Sequence, residues 1–309
     1  MSLETEHNEV LAPPGYRWPG GSRLAVTFLV AYEGWSDGKA PGIGPMGNPL
    51  PAGTVDTNAL SWGNYGARRG IWRILKVLEK LDLHASIMVC GVLAERHPET
   101  IRAIAAGGHE IIAHSYAMDV LPVLLDERQE RENIKRTTDL IESACGVRPI
   151  GWISPRLTPS ANTGRLLAQA GYIWHGDTLA DDLPSLARYG RDALVNIPFT
   201  MEVNDLPLAM RYGNPPSQMV DVFRTTLDAL KRQEDETGKV DVTIHAHAFG
   251  RPAGIWTYEA IANIAKSEPD VFLGLRHEIA THFKSLFTPD ASNSASPVRM
   301  GKHSPSANT

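Results

Sequence analysis

The chain has no run of about eighteen apolar residues, the length a helix needs to cross a bilayer. Its first twenty residues are polar and proline-rich, without an apolar signal core. These absences lead us to expect a cytoplasmic protein with no membrane partner. Cysteine is scarce: Cys90 and Cys145 are the only two and show no CxxC spacing, so neither a disulfide scaffold nor a thiolate metal cluster is expected. There is no basic excess either. Thirty Lys and Arg face 35 Asp and Glu for a formal net charge of −5, which leaves no electrostatic footprint for a nucleic acid. The first apolar run is followed by AYEGWSDG rather than a GxGxxG phosphate loop, which weakens a dinucleotide-binding reading.

What is present is alternation. Short apolar runs, at 24–31, 85–90, 110–113, 151–154, 172–175, 194–198, 240–245 and 271–273, read as strands. Helical spacing separates them at 67–81, 98–106, 127–144, 163–170, 219–236 and 258–266; in the first of these Ile71, Leu75, Leu78 and Leu81 make one stripe. Central runs such as AVTFLV are apolar throughout, as in a parallel sheet covered on both faces. With 42% apolar residues and no internal repeat or long linker, the sequence predicts one α/β domain over 20–286, a barrel of about seven parallel strands. A doubly wound open sheet is the alternative. Residues 1–19 read as an extension, and 287–309, rich in Ser, Pro and Asn, as a disordered tail.

In a parallel barrel the chemistry gathers where strands end. The polar residues just past the predicted strands are Tyr32 and Glu33, His114, Arg156, His175 and Asp177, Glu202 to Asp205, and His245.

Here the residues resemble a known family. GGHEIIAHS at 107–115, with the run leading into it, looks like the second motif of polysaccharide deacetylases. VTIHAHAFGRPAG at 242–254 resembles the last motif of the branch that contains metal-free allantoinases and cyclic-imide hydrolases, and 64–75 and 197–205 resemble further segments of that branch. The resemblance spans roughly 20–285 and implies a distorted (β/α) barrel, hydrolysis of a non-peptide carbon–nitrogen bond, and a homo-oligomer, by the habit of the branch a tetramer. Metal-dependent members carry two aspartates at the end of the first strand and two histidines four apart. Here Leu29 and Ala31 stand at the aspartate positions, and the partner of His114 is Met118, a thioether poorly matched to zinc or harder cations. No metal or other cofactor is therefore expected; a substitute set of Glu33, His114 and His245 is the alternative.

The resemblance makes Glu33, His114 and His245 the expected catalytic trio. Glu33, beside Tyr32 and Trp35, is expected to have its pKa raised by desolvation and to act as a base toward water. His114 would orient that water or bind the substrate carbonyl, and His245 would protonate the departing nitrogen. His247, two residues on, forms an HxH pair with His245. Arg156 and Arg68 are candidates to hold a carboxylate or ureide carbonyl through paired donors. Asp177, with Asp181 and Asp182, would brace a His or Arg. Glu202, Asn204 and Asp205 are expected to line the pocket, with Tyr32 binding substrate and Trp62, Tyr65 and Trp152 as an aromatic wall. The preferred activity is opening or cleaving a small amide, imide or ureide. The rivals are a metal-dependent deacetylase of N-acetylated polysaccharide and a non-catalytic carbohydrate- or partner-binding relative.

Overall fold

A computed structural model describes residues 8–287 except 43, 46–49 and 52. Of the expected tail, all but residue 287 lies outside the described residues, as do parts of the Gly- and Pro-rich loop 36–59.

Eight strands run parallel: β2 (Leu24–Tyr32), β3 (Ser86–Val89), β4 (Glu110–Ala113), β5 (Gly151–Trp152), β6 (Trp174–His175), β8 (Asp192–Asn196), β9 (Gly238–His245) and β10 (Val271–Leu273). β2 is central. β9 lies along one side of it, and β10 then β3 along the other. From β3 the sheet continues through β4, β5 and β6 to β8. The circuit is not closed by strand pairing. The chain leaving β8 meets β9 through a single parallel bridge, Asn204 to Thr243, so the sheet curls into a distorted barrel. Two strands are antiparallel, β7 (Ser185–Tyr189) on β8 and β1 (Asn8–Leu11) on β7.

Side chains on a strand alternate between faces, and the two cores follow from that. Val26, Phe28, Val30 and Tyr32 of β2 point outward into a layer of helices, against Ile71, Ile74 and Tyr258. Ala25, Leu29 and Ala31 point into the barrel with Met88, Ile112, Ile153 and Trp174. The outer layer comprises α1 (Thr57–Tyr65), α2 (Ile71–Lys80), α3 (Gly91–Arg96), α4 (Pro98–Ala106), α5 (Glu127–Cys145), α6 (Thr163–Gln169), α7 (Ser217–Arg232), α8 (Pro252–Lys266) and α9 (Arg276–Ser285). A π-helical turn, Gly66–Gly70, joins α1 to α2, so that helix begins ten residues before the predicted one. α5 starts with a capping box, Asp126 accepting from Gln129 N and the Gln129 side chain accepting from Asp126 N, and stops at Gly146 in the left-handed region.

Below the catalytic rim the barrel interior holds a buried ion network. Asp241 accepts from Thr27 Oγ1 (2.5 Å) and pairs with Lys239 (2.6 Å) and Arg276 (2.9 Å), all buried. Arg276 also donates to the carbonyls of Ile197 and Pro198. Of the expected N-terminal extension, the described residues 8–19 pack against the barrel. Trp18 is fully buried, donates from Nε1 to Gly238 O, and with Tyr16 closes the interior core from below.

Candidate active site

Strand register explains why residues from distant parts of the chain meet. Tyr32 pairs with Val89, which pairs with Ala113; Ala31 pairs with His245. The residues just beyond these partners, Glu33 and His114, therefore reach the same rim as His245. Glu33 Oε1 lies 3.7 Å from His114 Nε2 and 3.5 Å from His245 Nε2, and its Oε2 lies 3.8 Å from His247 Nδ1. All four side chains are buried.

Each imidazole is held from behind. His114 Nδ1 donates to Ile153 O at 2.5 Å, so its Nε2 faces the carboxylate. His245 Nδ1 donates to Asp205 Oδ1 at 2.6 Å, while Asp205 Oδ2 accepts from the backbone N–H of His245 and of Phe249. One fully buried carboxylate thus fixes both the ring and the turn that carries it. His247 packs edge-on against Trp62 and Trp35 with centroid separations of 4.5 and 5.5 Å, and its Nδ1 has no hydrogen-bond partner.

The electrostatics run opposite to the expectation for Glu33. Burial pushes its pKa up, but the neighbouring imidazoles, His245 foremost, outweigh that and hold it at about 2. For His245 burial acts to lower the pKa, yet the charges of Glu33 and Asp205 raise it to about 9. Burial, reinforced by His245, lowers His247 to about 4. At neutral pH the resting site is a Glu33 carboxylate against a His245 imidazolium, with His247 neutral. The expected rise failed because the sequence does not reveal a cation within contact of the glutamate.

The four residues open into a cavity of about 720 Å³. Met88, Met118, Leu121, Leu157, Phe199 and Met201 make its walls apolar, while Asn204, Arg156 and Arg211 add polar groups. The expected Trp62 wall is present. Three left-handed residues other than glycine lie around the site: Ser115 (φ 58°), Arg156 (φ 59°) and Leu157 (φ 53°). Each costs about 1–2 kcal/mol relative to an ordinary backbone, and such strain persists where surrounding contacts impose it. Here Asp177 does so, accepting from the N and Oγ of Ser154 at 2.6 and 2.7 Å and pinning the start of the 154–158 loop.

Several expected positions lie elsewhere. Tyr32 is buried on the helical side of β2, the consequence of alternation. Tyr65 and Arg68 line a separate groove with Arg69 and Arg251. Trp152 is in the outer core. Glu202 is exposed and Asp177 sits behind the wall, bracing a loop. Asp205 does not line the cavity but orients His245. The sequence offered one signal for it, its place beside Asn204 in the segment that resembles the family, and none for its role.

The family's metal positions do not fit a cation. Leu29 and Ala31 are buried aliphatics, and Met118 is a cavity wall. Among the described residues no three His, Cys, Asp or Glu side chains converge as a metal-binding group.

A buried carboxylate among imidazoles, at the carboxyl ends of parallel strands, is the constellation of a hydrolase. Residues 54–174 match the family model described as polysaccharide deacetylase. A peptidoglycan deacetylase of Helicobacter pylori is 28% identical over 84% of this chain and 97% of its own. Two solved structures superpose with a TM-score of 0.81 at 29% identity. One, described as a probable polysaccharide deacetylase of Pseudomonas aeruginosa, covers 88% of this chain and 95% of its own. The other, PuuE allantoinase, covers 89% and 95%. The chain is a hydrolase whose barrel is similar to those of the polysaccharide deacetylase and allantoinase structures.

Proposed function

We propose that the chain hydrolyses a small, preferentially cyclic amide, imide or ureide, and that it does so without a metal. The observation that carries this reading is the contact of Glu33 Oε1 with two braced imidazole Nε2 atoms. Water held by Glu33 and His114 attacks the carbonyl carbon, and its proton passes to the Glu33 carboxylate. The carbon–nitrogen bond breaks as His245 Nε2–H protonates the nitrogen.

A pKa of about 2 makes Glu33 a weak base at rest, but that value is imposed by the imidazolium beside it. As His245 releases its proton to the nitrogen, the cation vanishes and Glu33 becomes more basic in step. The two transfers reinforce each other, as expected of strongly coupled sites. With 3.5 Å between Oε1 and Nε2, the proton on Glu33 then returns to His245 and resets the pair. A strained ring amide opens more readily than a sugar acetamide, which suits a site whose cation positions hold Leu29, Ala31 and Met118. The likeness to the allantoinase structure supports this choice of substrate, and the cavity has the size of a small-molecule site.

The test is a panel of hydantoin, succinimide, allantoin and acetylated chitin oligomers, each with and without chelator. Ring opening that persists in chelator is expected. Hydrolysis of the acetylated oligomers alone, abolished by chelator, would establish a metal-dependent deacetylase instead. Glu33→Gln should lower kcat at least 100-fold while the protein still folds, as read by its circular dichroism, although with a lower melting temperature because His245 loses its anionic partner; an unchanged rate removes Glu33 from the chemistry.

A further inference from the structure

Two exposed arginines at the cavity have no protein partner among the described residues. Arg156 and Arg211 line it, and among the described residues neither has a hydrogen bond or a carboxylate partner. Some arginines elsewhere on the surface are paired, Arg96 with Asp37, Arg148 with Glu142 and Arg165 with Glu127, whereas others such as Arg188 and Arg232 point to solvent away from any cavity. The cavity's own acids are committed. Glu33 is enclosed by imidazoles, and Asp119 accepts from Ser36 N at 2.9 Å. Arg156 is held, with Leu157, in a backbone geometry that favours glycine, and Asp177 clamps the loop that imposes it. The molecule thus maintains strain to present a guanidinium that makes no internal bond. Strain retained without an internal partner points to an external one.

Resting on the amide-hydrolase reading, we propose that the substrate carries a carboxylate, which Arg156 and Arg211 hold while its amide faces Glu33. A guanidinium binds a carboxylate through two parallel N–H donors. The anionic Glu33 repels a second carboxylate, so charge alone orients the molecule. The cavity's apolar lining, Met88, Met118 and Leu157 included, suits a short hydrocarbon link between the two ends. The substrate class is therefore a small cyclic amide or ureide with an acidic side arm.

The probes are hydantoin-5-acetate and its neutral counterpart, 5-(2-hydroxyethyl)hydantoin. Turnover is measured with the wild type, Arg156→Gln, Arg156→Lys and Arg211→Gln. Binding is measured by calorimetry to Glu33→Gln, alone and combined with Arg156→Gln. The wild type should favour the acid at least tenfold in kcat/KM, through KM. Both glutamine variants should bring that ratio toward one, and the lysine variant should keep part of it. Glu33→Gln should bind the acid at least tenfold more tightly than the neutral probe, and lose that margin when Arg156 is also replaced. Equal turnover and equal binding of the two probes would overturn the carboxylate subsite and leave the amide-hydrolase reading intact. No turnover of either probe, with the binding margin preserved, would overturn that reading and leave the subsite standing.

Discussion

Glu33 and His245 form one titrating unit, and the pH behaviour of the site follows from it. His245, raised to about 9 by Glu33 and Asp205, must hold its proton to donate it, so kcat should fall as pH rises through about 9. Because its folded pKa lies above its unfolded value, its contribution to stability is complete below about 6.5 and is lost as pH climbs through about 9. Glu33 behaves in the opposite sense: its contribution is present above about 4.5 and is lost as pH drops toward 2. A plateau in kcat across neutral pH, with an alkaline limb that shifts to lower pH in Asp205→Asn, is the expected profile; an alkaline limb unmoved by that substitution would separate Asp205 from the proton donor. The meeting of Glu33, His114 and His245 was legible in the sequence, since motif and strand end both pointed to one rim. Asp205 was not, because its role depends on a contact 40 residues away along the chain. Nor was the direction of the Glu33 shift: burial can be guessed from aromatic neighbours, but the competing imidazolium cannot.

The helix α1–α2 is pressed against the catalytic turn through glycine. A Cβ at Gly70 would sit 1.8 Å from Ala246 O, and one at Gly66 would sit 3.2 Å from His247 N. The backbone of this element therefore touches the segment between the two histidines. Gly70→Ala should force them apart, destabilise the fold by at least 2 kcal/mol and abolish turnover, as read by denaturant unfolding and by activity in the same preparation. The helical pattern showed the stripe of α2 but not α1, whose apolar residues are sparse, nor the π-helical turn, which has no periodicity of its own. β7 and β1 were also missed. Ser185–Tyr189 and Asn8–Leu11 are short and only partly buried, so neither makes a long apolar run.

At the scale of the whole barrel, a buried ion network beneath the catalytic residues supports the fold. Asp241 neutralises two buried cations, and burial already lowers the pKa of Lys239 to about 8. Asp241→Ala would strand both, at a cost of roughly 3–5 kcal/mol. Chemical denaturation should show this loss; a loss below about 1 kcal/mol would mean that Lys239 and Arg276 find other partners. The alternation of strands and helices announced the barrel, because apolar runs covered on both faces have few other arrangements. Its incomplete closure, bridged only at Asn204 and Thr243, depends on pairing geometry that alternation does not encode.

Below the catalytic residues the barrel interior is filled, by Trp18, Arg276, Asp241 and Lys239 among others. On the proposed reaction the ring-opened product keeps the carboxylate that Arg156 and Arg211 would hold, so it and the next substrate call on the same cavity. Released product should compete with substrate for the free enzyme, raising the apparent KM in proportion to its concentration and leaving the limiting rate untouched.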